Sequence, residues 1–358
     1  MNMSEMELIP GLPNDIAREC LVRVPYNKFS NVASTCKDWN LEIHLPEFFR
    51  YRKAAGCNKH VMAMTQARVN RNTISGLKCQ SMPEYRIVLC EPDTGDWSEL
   101  PPVPGMSDGL PMFCQVVGVG SNLVVMGGLD PETYELRNAV YVYSFISATW
   151  CRGADMPGVR RLFFGCASDS NRMVYVAGGH DGEKNALRSA MAYDVAANVW
   201  APLPDMEKER DECKGIFHSG KFHVIGGYCT DRQGQFESSA EQFDIATWQW
   251  SPVQENLLRT GTCPRTCMEA EGNLYMSRGG DVARLEGETW KAVAELPAEV
   301  YNTAHMATWQ GKLLVIGSLS FGEPHNAYVL NLGSYTWTRM QVGDEYTGHV
   351  QSGCYLEL

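Results

Sequence analysis

The chain has 358 residues, 44% of them hydrophobic and 20% charged, which allows more than one domain and a large buried core. Its formal net charge of -11 argues against nucleic acid as a partner, because tracking a phosphate backbone needs clustered Lys and Arg. No apolar run of about 18 residues occurs, and the N-terminus Met-Asn-Met-Ser-Glu-Met-Glu has no basic stretch, so neither a membrane span nor a secretory signal is expected. The 13 scattered cysteines are therefore expected as reduced thiols, in cytoplasm and nucleus.

Residues 5–55 hold few glycines and no alternating β pattern. Pro13 and Asp15 sit where a helix would begin, and Ile16, Cys20, Leu21 and Val24 recur along one helical face until Pro25 stops it. A second apolar set is Phe29, Val32, Ala33, Cys36 and Trp39, and Pro46 and Phe48 belong to a short closing segment. A unit of about forty residues is near the lower limit for a self-sufficient core. Its apolar faces need either another polypeptide or the following domain, on which the unit would be a helical cap.

The order of residues is more specific. Ile9-Pro-Gly-Leu12-Pro13-Asn-Asp15-Ile16, Cys20-Leu21-Val22-Arg23-Val24-Pro25, then Phe29, Val32, Cys36-Lys37-Asp38-Trp39 and Pro46-Glu-Phe48 resemble an F-box. The resemblance implies a three-helix module that docks on the Skp-family adaptor, and through it on a cullin, in an SCF-type ubiquitin ligase. It implies Leu12, Pro13, Ile16, Cys20, Leu21, Val24, Pro25, Phe29 and Val32 as adaptor contacts, with Trp39 holding the helices together.

From residue 56 onward the chain repeats. Tryptophans fall at 97, 150, 200, 250, 290 and 337, a period near 50 residues. In four modules an apolar run ends in a glycine pair: Gly127-Gly128, Gly178-Gly179, Gly226-Gly227 and Gly279-Gly280. An apolar residue precedes the Trp by seven positions, as in Tyr143/Trp150, Tyr193/Trp200, Phe243/Trp250, Leu330/Trp337 and Cys90/Trp97. The pattern reads as four-stranded antiparallel blades, with glycines where φ > 0 is needed and Trp between blades. It resembles the Kelch family and predicts a mainly β fold, a six-bladed Kelch β-propeller over 56–358. The first module lacks both the glycine pair and an opening strand, the fifth is short, and the segment 348–358 is expected to supply the missing strand and close the ring. Cys114, Cys166, Cys213 and Cys267 precede the glycine pairs by 12 or 13 residues and are expected at one repeated core position.

No catalytic constellation is present, so no catalytic residue is assigned and no enzyme is expected. Gly118-Val-Gly120 lacks the third glycine of a dinucleotide loop. Cys263-x3-Cys267 has no second ligand pair, and His218 and His223 flank a tight turn, so neither a metal nor another cofactor is expected. A metal-dependent propeller enzyme remains the alternative of a different class, beside a Kelch scaffold without ligase function.

In a four-stranded meander the loops after strands two and four leave on one end of the ring. That end is expected to carry Asp108, Asp130, Arg160, Arg161, His180, Asp181, Glu209, Arg210, Tyr228, Tyr301 and Asn302 as target contacts. Arg160-Arg161 and Glu209-Arg210-Asp211 stand out, because charges so near an inner strand need a reason.

The whole chain resembles the plant F-box/Kelch proteins. The strings Met156-Pro-Gly-Val-Arg-Arg-Leu-Phe-Phe-Gly-Cys-Ala-Ser-Asp169, Arg210-Asp-Glu-Cys213 and Gly348-His-Val-Gln-Ser-Gly-Cys354 are close to one subgroup. That subgroup is associated with turnover of phenylalanine ammonia-lyase, which sets phenylpropanoid flux, and of type-B response regulators in cytokinin signalling; a related branch acts on chalcone synthase. The resemblance implies this target class, with phenylalanine ammonia-lyase favoured.

Overall fold

The structure is a computed structural model and describes residues 7–69, 83–106 and 109–358. Asp108 lies outside the described residues.

Six four-stranded antiparallel sheets form a ring of six blades. The seven-residue offset between apolar residue and Trp is a hairpin register, since Tyr143, Tyr193, Phe243, Leu330 and Cys90 are the cross-strand partners of Trp150, Trp200, Trp250, Trp337 and Trp97. Each repeat Trp sits on the fourth strand of its blade and donates its indole N–H to a carbonyl of the preceding blade's chain. The acceptors are Gln341 for Trp97, Pro101 for Trp150, Ala154 for Trp200, Pro204 for Trp250, Leu257 for Trp290 and Glu295 for Trp337, at 2.6–3.2 Å. The Trp that fills the gap between blades thus also latches them.

The first blade combines both ends of the propeller. Its innermost strand is Val350–Glu357, antiparallel to His60–Ala67 from His60↔Glu357 to Gln66↔Val350. All eight residues of His60–Ala67 are buried. The fifth blade is short because Gly279 and Gly280 alone join its second strand, Asn273–Arg278, to its third, Asp281–Glu286.

The N-terminal module has four α-helices rather than three: α1 (Asn14–Val22), α2 (Phe29–Thr35), α3 (Lys37–His44) and α4 (Pro46–Ala54). Cys36 splits the expected second helix. Its backbone is extended, and its Sγ accepts the Trp39 N–H at 3.5 Å, so it caps α3. The closing segment becomes a full helix because Pro46 starts it and Phe48 and Phe49 pack edge-on against Phe29.

The module is not a free appendage. Tyr26 meets the Phe145 ring and donates to Glu91 at 2.8 Å. Arg52 is buried, stacks over Phe29, and donates to the carbonyls of Val22, Val24, Cys57 and Leu358. Glu91, Phe145 and Leu358 all lie by strand connections at one end of the ring. The connections after second and fourth strands lie at the other.

Of the repeated cysteines, Cys114, Cys213 and Cys267 each directly precede an inner strand and are buried. Cys166 does not share that position. Phe164 occupies it, and Cys166 lies inside the strand Gly165–Ser168. Phe164 is the bulkier filler there, because Met156 and Gly127 leave room for a ring.

Candidate docking surfaces

The helical module divides its expected contacts into two sets. Leu12, Pro13, Ile16, Cys20 and Pro25 are exposed. Leu21, Phe29 and Val32 are not: they lie in one apolar core with Ile43, Phe48 and the blade residues Val61 and Phe145. Val24 is half-buried against the same core. These four hold the module together and seat it on the ring, so they are corrected from contacts to supports. Helical periodicity alone does not tell an inward face from an outward one when a helix is apolar on both.

The exposed set has further members that were not expected. Leu41 in α3 is 66% exposed, and Leu45 and Tyr51 are also exposed, beside Leu12 at 36% and Ile16 at 47%. Leu41 and Leu45 lie outside the quoted apolar set, but their four-residue spacing on either side of Ile43 could have revealed an outer face. A groove of about 490 Å³ runs between α1 and α4, lined by Ile16, Val22, Tyr51 and Ala54. The N-terminal end of this surface is pinned by Trp39, whose indole donates to the Leu8 carbonyl at 2.6 Å.

At the opposite end of the ring the structure gathers Arg160, His180, Asp181 and Tyr228 around one open groove of about 770 Å³, with Tyr134, Val159 and Phe163. His180 Nδ1 hydrogen-bonds the Asp211 carboxylate at 2.9 Å, and Tyr228 donates to Glu212 at 2.9 Å. Burial and the neighbouring carboxylate of Asp211 push the Tyr228 phenol well above its usual range, so it stays a donor. Asp181 accepts from the Glu183 and Asn185 amides and stiffens its own loop. The hydrogen bond from the Asn185 side chain, with those from the Asn185 and Glu183 amides, holds the Asp181 carboxyl below the ordinary carboxylate range.

Other expected contacts do different work. Arg161 and Arg210 are 2% and 1% exposed and cannot meet a target. Arg161 donates to the carbonyls of Gly178 and Ser189 at 3.1 Å, and Arg210 donates to those of Gly226 and Ser239 at 2.7 and 3.1 Å. Each arginine thus clamps the glycine-pair turn of its own blade, the reason its charge lies so near an inner strand. Desolvation lowers the Arg161 guanidinium to about 10. Asp130 accepts the Thr133 and Glu132 amides and pairs with Arg137, which holds it far below the carboxylate range and makes it a loop staple. Glu209 likewise accepts from Thr230. Tyr301 and Asn302 are exposed between the fifth and sixth blades, outside this groove. Phe321, 96% exposed on the equivalent loop of the sixth blade, escaped notice because Gly317-Ser318 replaces the glycine pair there.

Among the described residues no cluster of three or more His, Cys, Asp and Glu could hold a metal ion.

The sequence pattern of the Kelch motif matches residues 112–157, 160–207 and 213–256. The chain is 49% identical to F-box/kelch-repeat protein At1g80440 of Arabidopsis thaliana over 360 residues, 99% of this chain and 100% of that protein. It is 50% identical to F-box/kelch-repeat protein At1g15670 of the same plant over 359 residues, with 99% and 100% covered. The solved structure of YjhT overlays with a TM-score of 0.58 at 12% identity, covering 72% of this chain and 91% of that one, a likeness of fold alone.

Proposed function

The chain belongs to the F-box/kelch-repeat proteins, and from that premise we propose that it is the target-recognition subunit of an SCF-type ubiquitin ligase. One observation carries the reading. The exposed apolar residues Leu12, Ile16, Leu41 and Leu45 of the helical module and the loop groove around Arg160 and His180 lie at opposite ends of the ring. Four exposed large apolar side chains on so small a module support an interaction surface there. Its occupant in this reading is the Skp-family adaptor, which links the chain to the cullin. The loop groove holds the target. The chain adds no chemistry of its own; it supplies proximity and orientation for ubiquitin transfer elsewhere in the ligase.

The favoured target is phenylalanine ammonia-lyase, whose degradation would lower phenylpropanoid flux. Type-B response regulators and chalcone synthase are the competing targets, and all three readings rest on the short sequence strings of the plant subgroup. In this reading the chain works in cytoplasm and nucleus, where its cysteines would stay reduced. The experiment is affinity purification from plant cells under proteasome inhibition, followed by mass spectrometry. Recovery of adaptor and phenylalanine ammonia-lyase together supports the full reading. Adaptor with a different target revises the target alone, and a target without adaptor overturns the ligase role.

A further inference from the structure

The inner strands surround an axial cavity of about 300 Å³. Phe113, Phe163 and Glu212 border both this cavity and the loop groove, so it opens on the target end of the ring. Each of the three takes a positive φ just before an inner strand, which turns the chain at the rim.

Lys214, the first residue of the fourth blade's inner strand, lines the cavity. The same lining includes Gln115 of the second blade, Cys166 of the third, His305 of the sixth and Gln351 of the first, so Lys214 faces the axis among the inner strands of several blades. Among the described residues its side chain has no ion pair and no hydrogen bond. Burial lowers the amine from its ordinary value. Arg265 adds a second cation to the lining, on its exposed side. His305 is 9% exposed, and its Nε2 has no hydrogen-bond partner among the described residues. The lone lining carboxylate, Glu212, is already engaged by Tyr228.

This is an unusual balance in a chain of net charge -11. Lys214 is half-buried, and an ammonium partly withdrawn from water without a counter-charge is unfavourable; a ligand that supplies the charge recovers part of that cost. Gln351 and Ser352 also line the cavity, their oxygens held by the Phe113 and Val116 amides. The size is at the small end of ligand pockets, right for a few-carbon molecule rather than a peptide.

We propose that the axial cavity binds a small oxyanion, a carboxylate or a phosphate ester, with Lys214 as its ion-pair partner and Arg265 closing over it from the rim. The bound anion lies directly beneath Phe113 and Phe163, at the floor of the groove that faces the target. The site stands whether or not the chain serves a ligase.

The test is calorimetric titration of the full-length protein, in chloride buffer, with inorganic phosphate and separately with malonate. At least one is expected to bind; tighter phosphate points to a phosphate ester, tighter malonate to a carboxylate. Lys214→Met should weaken binding about tenfold or more, since a charge-assisted contact is lost. Arg265→Gln, at an exposed position that the fold tolerates, should weaken it several-fold and reads the site even if Lys214→Met misfolds. Lys291→Met, on the outer edge, should bind as the parent does. No binding above the chloride background, or equal affinity in the parent, Lys214→Met and Arg265→Gln, overturns the proposal.

Discussion

Arg210 and Glu241 meet inside the fourth blade, each 1% exposed, with Arg210 Nε 3.1 Å from Glu241 Oε1. Glu241 also accepts the amides of Glu207 and Lys208, at 2.7 and 3.2 Å. The pair ties the incoming connection to the third strand of the blade and, through Gly226, to the glycine-pair turn.

Removing one partner leaves a buried charge without compensation. Arg210→Met is therefore expected to cost about 3–5 kcal/mol of stability in urea unfolding. Arg160→Ala, one loop away and exposed, should stay within about 0.5 kcal/mol. Equal effects of the two would contradict the clamp.

The adaptor strip makes the opposite prediction. Leu12 and Ile16 are exposed and support no core, so Leu12→Asp with Ile16→Asp should abolish co-purification of the Skp-family adaptor while leaving the melting temperature within about 2 °C. Phe29→Ala, in contrast, should lower stability by about 3–5 kcal/mol, because Phe29 is fully buried among Phe48, Phe49 and Arg52. Retained adaptor binding in the double aspartate variant would remove the basis for the ligase reading.

The repeat architecture was legible because a fixed Trp and glycine-pair spacing repeats under one physical constraint, the packing of blade on blade. The adaptor surface was legible only in part. Leu12 and Ile16 and the buried Phe29 share the same apolar chemistry, and only the tertiary packing of α4 against α2 decides which way each one points. The clamps Arg161 and Arg210 were misread for a related reason. A charged residue ahead of an inner strand signals either recognition or a buried carbonyl partner, and the partners Ser189 and Ser239 lie 28 and 29 residues away in sequence.

Acid should loosen the ring through its histidines. Desolvation lowers His305 to about 3 and His325 to about 4 from an ordinary 6.5. The unfolded chain then binds more protons than the folded one below the ordinary value, so stability rises with pH. The stabilisation is present above about pH 6.5 and drains away as pH falls toward 4. Urea midpoints are expected to drop steadily between pH 7 and 5, before carboxylates such as Asp181 begin to titrate. His305→Leu with His325→Leu should flatten that slope; an unchanged slope would place the acid sensitivity elsewhere.

Ring closure gives the last test. Leu358 and Lys59 exchange backbone hydrogen bonds at 2.6 and 2.8 Å, and Arg52 of α4 reaches the Leu358 carbonyl at 3.5 Å. The final strand thus joins first blade and helical module at one point. Deleting residues 348–358 would strip the inner edge from His60–Ala67, whose side chains are all buried, and open the axial side of the first blade. An unpaired apolar edge of this kind invites pairing with a second chain. The truncated protein is expected to melt far below the parent and to aggregate on size-exclusion chromatography. A monomer with the parent's melting temperature would mean that the five remaining blades, not the closure, carry the stability of the ring.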